Sequence, residues 1–235
     1  MTGLARPGVA VVIPALDEGE AIGDVVRAIP RDVVDEIIVV DGGSRDDTVA
    51  RARKAGARVV IVPRSGYGAA CLAGARSAGR GCGVIAFMDG DGSDDPTELA
   101  RILAPIAAGE QDFVIGSRLR GEREAGSMAA HQAFAGRWIG LAIRFLYGVQ
   151  YTDMGPLRAI RRDALEALGM QERSYGWNLE MQMRAARRGL RILELPVRHR
   201  NRAGGVSKVA GSLAGSLKAS WHIAATFARI ALHLR

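Results

Sequence analysis

The densest group of chemically useful side chains is an acidic stretch, DGDGSDD, at residues 89–95. Asp89 and Asp91 directly follow an apolar run, and two carboxylates at this spacing can hold a hard divalent cation. Mg²⁺ and Mn²⁺ prefer oxygen ligands and commonly bridge carboxylates to substrate phosphates. A calcium loop is excluded, because the glycine and the final glutamate that such a loop requires are missing. Asp94 and Asp95 are expected to cap the helix that follows, and the alternative for the whole stretch is an acidic turn without a metal.

Acidic residues also follow two other apolar runs. Asp41 ends the run EIIVV, where a carboxylate could accept hydrogen bonds from a nucleobase edge or a ribose. The alternative is an aspartate that only caps a turn. Asp17 and Glu18 come shortly after the first apolar run, at residues 9–13. If these runs are parallel strands, all of these acids lie at one edge of a sheet.

The elements that must position these acids alternate between strand and helix. Five short, apolar, β-branched runs are typical of buried parallel strands, and helical stretches separate them. This order predicts a doubly wound sheet with helices on both faces, in which ligands bind outside the carboxyl ends of the strands. Beyond Arg118 the pattern changes to long amphipathic helices, with short strands near residues 157–160 and 191–197. The predicted strands are residues 9–13, 36–40, 59–62, 84–88 and 113–116, and the predicted helices are 21–29, 48–55, 69–78 and 96–107.

Composition restricts the class of protein. The 235 residues are 48% apolar and 24% charged, which is the balance of a globular chain and excludes a disordered one. The two cysteines, Cys71 and Cys82, form no CxxC pattern, which argues against a disulfide scaffold or a zinc site and favours a reducing cytoplasm. No apolar segment is long enough for a signal peptide or a membrane span, so a cytoplasmic location is expected.

The charge is divided unevenly along the chain. Residues 1–116 carry a net charge of −5 and residues 117–235 a net charge of +12, within a total of +7. A basic half indicates an anionic partner, such as nucleic acid, an anionic membrane surface or a phosphorylated substrate. The alternative is an arginine-rich composition without a function, since only three of the 32 basic residues are lysines. Nucleic acid is disfavoured, because aromatic residues are only 5% and no basic–aromatic stacking pattern occurs.

The basic half contains two stretches suited to a membrane surface. Residues 138–149 are mostly apolar with Arg144 among them, and residues 209–235 have the pattern of one basic amphipathic helix that could lie in a lipid interface. The alternative for the second stretch is a helix packed on the domain or against another subunit, which would make the protein a homodimer. We expect one domain over residues 1–208, then this helix, and a peripheral position at the inner face of the cell membrane.

Several motifs resemble, in order and spacing, those of family-2 inverting glycosyltransferases. They are IPALDE at residues 13–18, VDGGSRDDT at 40–48 and DGD at 89–91. Later stretches are similar to the dolichol-phosphate mannosyltransferase and polyprenyl-phosphate glucosyltransferase group, at residues 116–118, 152–158, 177–181 and 202–208. The resemblance spans roughly residues 9–210. It implies a GT-A fold, which is a mostly parallel α/β sheet with helices on both faces, together with a nucleotide-sugar donor and Mg²⁺ or Mn²⁺.

The resemblance also implies roles for individual residues at the donor site. Asp89 and Asp91 would hold the metal on the donor diphosphate, and Ser93 stands where a Gln often assists. The residues implied to contact the donor, around its nucleotide or closing over its diphosphate, are Pro14, Leu16, Glu18, Asp41, Asp89, Arg202, Ser207 and Lys208. Departures from the family's pattern affect the expected base and sugar more than the reaction, and they are Leu16 for an aromatic, Asp17 for Asn, Gly42 for Asp and Tyr67 for Lys.

Sugar transfer requires groups that stabilise the leaving diphosphate and position the acceptor. A metal with Arg and Lys side chains can neutralise the charge that grows on the leaving group. Asp153 is the preferred catalytic base or positioning residue and Glu180 a second candidate, and the alternatives are a turn aspartate and a first-turn helix acid. Arg118, also counted as catalytic, and Arg137 are candidates for holding an acceptor phosphate, unless they are ordinary surface arginines. The four histidines show no ligand spacing, so none is assigned to a metal.

Four functions fit these patterns. The first is a peripheral enzyme that moves a hexose from GDP-mannose or UDP-glucose to polyprenyl phosphate with inversion. The second is a soluble transferase of the same fold with a small phosphorylated or saccharide acceptor, which failure to glycosylate any polyprenyl phosphate would favour. The third is a nucleotidyltransferase, which would release pyrophosphate instead of nucleoside diphosphate. The fourth is a nucleic-acid-binding protein, which is disfavoured because the acidic edge would repel phosphates in the absence of a metal.

Overall fold

A seven-stranded mixed sheet forms the centre of the protein. The computed structural model describes residues 6–128, 130–203 and 225–232. The strands are β1 Gly8–Ala15, β2 Glu36–Asp41, β3 Arg58–Ile61, β4 Cys82–Phe87, β5 Phe113–Ser117, β6 Arg158–Arg161 and β7 Ile192–Pro196. Their order across the sheet is β3-β2-β1-β4-β6-β5-β7. Strand β6 runs antiparallel to both of its neighbours, and the other described pairings are parallel.

Helices cover both faces of this sheet. They are α1 Ile22–Ala28, α2 Thr48–Lys54, α3 Tyr67–Ser77, α4 Leu99–Ala107, α5 Ala130–Tyr147, α6 Arg162–Leu168 and α7 Trp177–Arg187, with a short 3-10 helix, Pro96–Glu98, in front of α4. One hydrophobic cluster packs α3, α5, α6 and α7 on one face, and a second packs α1, α2 and α4 on the other. The sheet is therefore buried from both sides, as the predicted doubly wound architecture requires.

Strand β1 shows why the central strands are continuous apolar runs. Successive side chains of a strand point to opposite faces of the sheet. Ala10 and Val12 belong to one cluster, Val11 and Ile13 belong to the other, and all four are fully buried. Because both faces are covered by helices, no position along this strand can be polar.

The predicted strands and helices are confirmed, with ends that differ by one or two residues, except that the first three residues of the predicted helix 96–107 form the 3-10 helix Pro96–Glu98. The direction and place of β6 are not evident from the sequence. Its residue Arg158 lies opposite Phe87 of β4 on one side and Ile115 of β5 on the other. A four-residue strand that contains two arginines carries no alternation from which its partners could be predicted.

The described part of the C-terminal stretch packs on the domain. Residues 225–232 are helical, and Thr226 and Ile230 are only 2% and 4% exposed. Ile230 joins the cluster that contains α3 and α7, and Arg229 forms an ion pair with Glu172. The apolar side of this segment therefore contacts protein, as the packed-helix alternative requires.

The rest of the predicted C-terminal helix, residues 209–224 and 233–235, lies outside the described residues, as does the predicted boundary at residue 208. None of the helices in the described ranges combines the length and the apolar character that crossing a bilayer demands.

Candidate active site

The carboxyl ends of β1, β2 and β4 meet at one edge of the sheet, as predicted. Strands β1 and β2 are parallel with Ala15 opposite Asp41, and β1 pairs with β4 on its other side. The loops that leave these strands also bind one another, since Glu18 N donates a hydrogen bond to Thr48 Oγ1 at 2.8 Å. Three loops that carry carboxylates thus converge at this edge.

Asp89, Asp91 and Asp94 lie together in the turn after β4. Asp91 is 5% exposed, and its Oδ1 accepts a hydrogen bond from Ser93 N at 2.9 Å. Asp94 Oδ2 accepts one from Asp89 N at 3.1 Å, which fixes the turn from the other side. The prediction that Asp94 caps the next helix is therefore wrong. Asp95 is the cap, because its side chain accepts a backbone N–H at the start of the 3-10 helix.

The turn concentrates negative charge in a small volume. Burial and the neighbouring carboxylates of Asp94 and Asp91 raise the pKa of Asp89 well above its usual range. Burial also raises the pKa of Asp94 to about 7. A divalent ion would favour the ionised forms of these carboxylates, which are hard oxygen donors of the kind that Mg²⁺ and Mn²⁺ prefer. The residues of this turn therefore fit the predicted metal.

His199, for which no metal-binding role was expected, lies beside Asp94 of the acidic turn. Its ring is 5% exposed, and Nδ1, which has no hydrogen-bond partner within the described ranges, lies 3.9 Å from Asp94 Oδ1. Burial and the charge of Arg118 lower the pKa of His199, so the imidazole is neutral near pH 7 and can offer a lone pair. The aspartates lie about a hundred residues earlier in the chain, so no local spacing could reveal this proximity.

Among the residues that the structure describes, no three His, Cys, Asp or Glu side chains already surround one point. A metal at this turn would therefore take part of its ligands from the substrate, as Mg²⁺ usually does when it binds phosphates.

Arg202 forms ion pairs with acidic residues of two of these loops. Its Nη2 lies 2.8 Å from Glu18 Oε1 and its Nη1 lies 3.0 Å from Asp91 Oδ2. The next residue, Ala203, donates its N–H to the Asp91 carbonyl at 3.0 Å. Three of the residues implied to bind donor or metal are thus in direct contact. Ser207 and Lys208, which are implied to act with Arg202, lie outside the described residues.

The residues implied to line the nucleotide pocket lie at the β1–β2 edge. Asp41 is 2% exposed, and its carboxylate accepts the backbone N–H groups of Gly43 and Ser44 at 2.9 and 3.1 Å. It therefore holds the turn after β2. Pro14 and Leu16 are half-buried at the end of β1. Contact of these three residues with a nucleotide stays a prediction.

A bidentate ion pair joins the two main acceptor-side residues. Arg118 Nε and Nη2 lie 2.8 and 2.9 Å from the two carboxylate oxygens of Asp153, and Arg118 N donates to the same carboxylate at 2.9 Å. Burial acts in the opposite direction, but the hydrogen bonds and charge of Arg118 hold the pKa of Asp153 below its usual range. A carboxylate with both oxygens occupied and a lowered pKa is a poor proton acceptor at neutral pH. The geometry therefore favours the positioning role of Asp153 over that of a base.

The loop that carries Asp153 is braced from several sides. Glu194 accepts the N–H groups of Thr152 and Asp153 at 3.0 and 3.2 Å, and Gln182 Nε2 donates to the Asp153 carbonyl at 2.7 Å. The completely buried Arg158 donates to one carbonyl of the loop and to one at the start of α7. Burial alone would lower the pKa of Arg118, but the hydrogen bonds and charge of Asp153, together with the charges of Asp94 and Asp89, raise it.

The Glu180 carboxylate binds groups of the neighbouring backbone and of its own helix. It is 2% exposed, its carboxylate accepts the backbone N–H groups of Gln171 and Glu172 at 3.0 and 2.7 Å, and Arg184 Nε pairs with it at 2.8 Å. These contacts tie α7 to the segment that precedes it. This geometry favours a structural role, and the catalytic role of Glu180 stays a prediction. Arg137 is exposed on α5, and its contact with an acceptor phosphate stays a prediction.

Comparison with known proteins gives consistent matches. A family model described as Glycosyl transferase family 2 matches residues 10–169. An uncharacterized glycosyltransferase of Mycobacterium tuberculosis is 39% identical over 215 residues, which are 91% of this chain and 95% of the relative. Polyprenol monophosphomannose synthase of Mycolicibacterium smegmatis is 34% identical, over 86% of this chain and 81% of the relative. The crystal structure of glucosyl-3-phosphoglycerate synthase from M. tuberculosis with Mn²⁺, UDP and glucosyl-3-phosphoglycerate has a TM-score of 0.76 at 26% identity, and the match covers 97% of this chain and 80% of that one.

Proposed function

The chain belongs to glycosyl transferase family 2, and from this premise we propose that it moves a hexose, with inversion, from a nucleotide diphosphate sugar to polyprenyl phosphate. Family membership makes it a glycosyltransferase, so the nucleotidyltransferase and nucleic-acid-binding alternatives no longer apply. One observation carries the proposal. Arg202, an arginine suited to a diphosphate, lies 3.0 Å from Asp91 in the carboxylate turn suited to a metal and 2.8 Å from Glu18 after β1, so the groups needed to bind a nucleotide diphosphate sugar meet at one edge of the sheet.

On the donor side, Asp89, Asp91 and His199 are the residues that would hold Mg²⁺ or Mn²⁺. A divalent ion at this place would neutralise charge on the leaving nucleoside diphosphate. Arg202 would exchange its carboxylate partners for diphosphate oxygens, because charge-assisted hydrogen bonds from a guanidinium suit phosphates. The solved relative, which was crystallised with Mn²⁺ and UDP, supports this assignment.

The nucleotide would lie against the ends of β1 and β2. Pro14, Leu16, Glu18 and Asp41 would contact it, and the backbone N–H of Ser93 supports the acidic turn through Asp91. Ser207 and Lys208 would close over the diphosphate together with Arg202.

On the acceptor side, a phosphate needs little help from a base. Its oxygen is already anionic and can attack the sugar carbon without first losing a proton. This requirement agrees with Asp153, whose carboxylate is committed to Arg118. Arg118 would hold the acceptor phosphate in place, with Arg137 as a second candidate. The 34% identity to polyprenol monophosphomannose synthase favours a polyprenyl carrier as the acceptor, which would place the reaction at a membrane surface.

A small phosphorylated acceptor is the second candidate. The observation that favours it is the structural match to glucosyl-3-phosphoglycerate synthase, which was crystallised with its phosphorylated product. Arg118 would serve either acceptor, since both present a phosphate.

A comparison of two acceptors with the purified full chain tests the proposal. GDP-mannose or UDP-glucose is supplied with Mn²⁺ and either polyprenyl phosphate or 3-phosphoglycerate, and both the glycosylated product and the released nucleoside diphosphate are measured. We expect product with polyprenyl phosphate, its loss in Asp91→Asn, and its retention in Asp24→Asn, an exposed aspartate on α1 that serves as the matched control. Product with 3-phosphoglycerate alone would establish the second candidate, and release of pyrophosphate would contradict both.

A further inference from the structure

Helix α5 presents large apolar side chains to solvent. Leu141, Phe145 and Leu146 are 51%, 89% and 45% exposed, and Trp138 is 58% exposed. Residues 138, 141 and 145 recur at the spacing of one helix face. We call these four residues the α5 stripe. A contiguous group of this kind on a soluble domain marks an interaction site far more often than an isolated apolar residue does.

The α5 stripe cannot turn inward, because the other side of the helix is already used. Ile143 is fully buried in the core, and a Cβ at Gly140 would collide with the Tyr151 carbonyl. The helix backbone is therefore pressed against the segment that leads directly into Asp153. This contact ties the orientation of the stripe to that of the acceptor side of the site.

The segment that carries the stripe has charges of one sign. Residues 125–152 contain no acidic residue, and the arginines of α5, Arg137 and Arg144, are both exposed. Apolar side chains flanked by cations are the pattern of a helix that lies on an anionic bilayer. A twofold pairing of this face with a second copy would instead bring the arginines together without a neighbouring acid to compensate them.

We infer that the α5 stripe is the surface through which the protein docks on an anionic lipid bilayer. The apolar side chains enter the boundary between head groups and acyl chains, and the arginines contact lipid phosphates. The evidence for docking does not depend on the proposed function. The inference rests on that function only for the reason to dock, since docking would bring the acceptor side of the site to the carrier lipid. It replaces the C-terminal helix as the expected anchor over residues 225–232, whose apolar side packs on the domain.

Vesicle co-sedimentation of the full chain tests the docking surface. The vesicles are phosphatidylcholine alone or mixed with phosphatidylglycerol, and they contain no polyprenyl phosphate. We expect salt-sensitive binding to the mixed vesicles. Phe145→Glu should lower the partition coefficient about tenfold or more, because a large apolar contact is lost. Arg144→Gln should lower it about fivefold on anionic vesicles only.

Leu232→Glu is the matched control, because Leu232 is 65% exposed on the C-terminal segment and should bind as the wild type does. Thermal unfolding checks that each variant is folded, and Leu141→Glu replaces Phe145→Glu if that variant is not. Loss of binding in Leu232→Glu with retention in Phe145→Glu would overturn the inference in favour of the C-terminal helix. Absence of vesicle binding, with a dimer that Phe145→Glu dissociates, would overturn it in favour of a second copy.

The two proposals fail separately. Vesicle binding is measured without acceptor. If the protein does not bind vesicles, the docking surface is contradicted, while transfer to polyprenyl phosphate is still tested by the comparison of acceptors. Conversely, vesicle binding together with transfer to 3-phosphoglycerate alone would support the surface and contradict the acceptor.

Discussion

Replacing Asp153 by asparagine removes the charge that holds Arg118 and preserves the size of the side chain. The side chains of Asp153 and Arg118 are 5% and 20% exposed, so water screens the pair only weakly. Removing one partner of a fully buried pair costs about 3–5 kcal/mol. Because Arg118 keeps some contact with water and asparagine can still accept a hydrogen bond, we expect the free energy of unfolding to fall by about 2–3 kcal/mol.

The lowered pKa of Asp153 fixes how this loss depends on pH. The folded pKa lies below the unfolded value of about 3.9, so the ionised carboxylate stabilises the folded protein above that value. The stabilisation is lost as the pH falls through the folded pKa. The difference in stability between wild type and Asp153→Asn should therefore be constant near neutral pH and should shrink below about pH 4. Urea unfolding followed by tryptophan fluorescence at a series of pH values measures it.

A double-mutant cycle separates a positioning residue from a base. Asp153→Asn, Arg118→Gln and the double variant should show a coupling of about 1.5–3 kcal/mol, and Asp153→Asn should raise KM for the acceptor more than KM for the donor. The matched control is Asp163→Asn, which breaks an exposed pair with Arg161 and should cost less than about 1 kcal/mol. Complete loss of turnover in a fully stable Asp153→Asn would refute the positioning role and restore the base.

Further changes test the donor site and the structural assignment. Asp91→Asn should weaken Mn²⁺ binding by about tenfold or more, and full turnover of this variant in excess chelator would exclude a metal at this turn. Arg202→Gln should tighten Mn²⁺ binding to the nucleotide-free enzyme, because Nη1 no longer competes for Asp91 at 3.0 Å, and should weaken binding of the nucleoside diphosphate. An unchanged Mn²⁺ affinity, measured by calorimetry, would contradict that competition. Glu180→Gln should lower the free energy of unfolding by about 2 kcal/mol, because two backbone N–H groups lose a charged acceptor, and a selective loss of kcat would instead support a catalytic role for Glu180.

Much of the fold could be predicted because its causes are local. A strand covered on both faces must be apolar at every position, so the run at residues 9–13 was sufficient to predict β1. The change from apolar to acidic residues after β2 and β4 marked the end of each strand. Parallel strands then required Asp41 and the turn at residues 89–95 to lie at the same edge.

The sequence is least informative for side chains whose partners are set by packing. Asp94 and Asp95 both have the residue type of a helix cap, but only Asp95 is one, since the turn directs Asp94 back to the N–H of Asp89. Glu180 has the type and place of a catalytic acid at a helix start, but burial against the preceding segment gives its oxygens structural donors. Residue type alone does not distinguish these outcomes, because both use the same hydrogen-bonding chemistry.

The sequence by itself determined the fold class, the edge of the sheet that carries the candidate site and the acids of the turn at residues 89–95, because periodicity and strand ends are properties of neighbouring residues. Tertiary structure decided that His199 and Arg202 join that turn and that Arg118 and Asp153 form one unit. It also decided which apolar surface is covered, since residues 225–232 pack on the domain while the α5 stripe remains exposed. These contacts join residues far apart in the chain, and each partner has a locally plausible alternative, so no spacing in the sequence distinguishes the pair that forms.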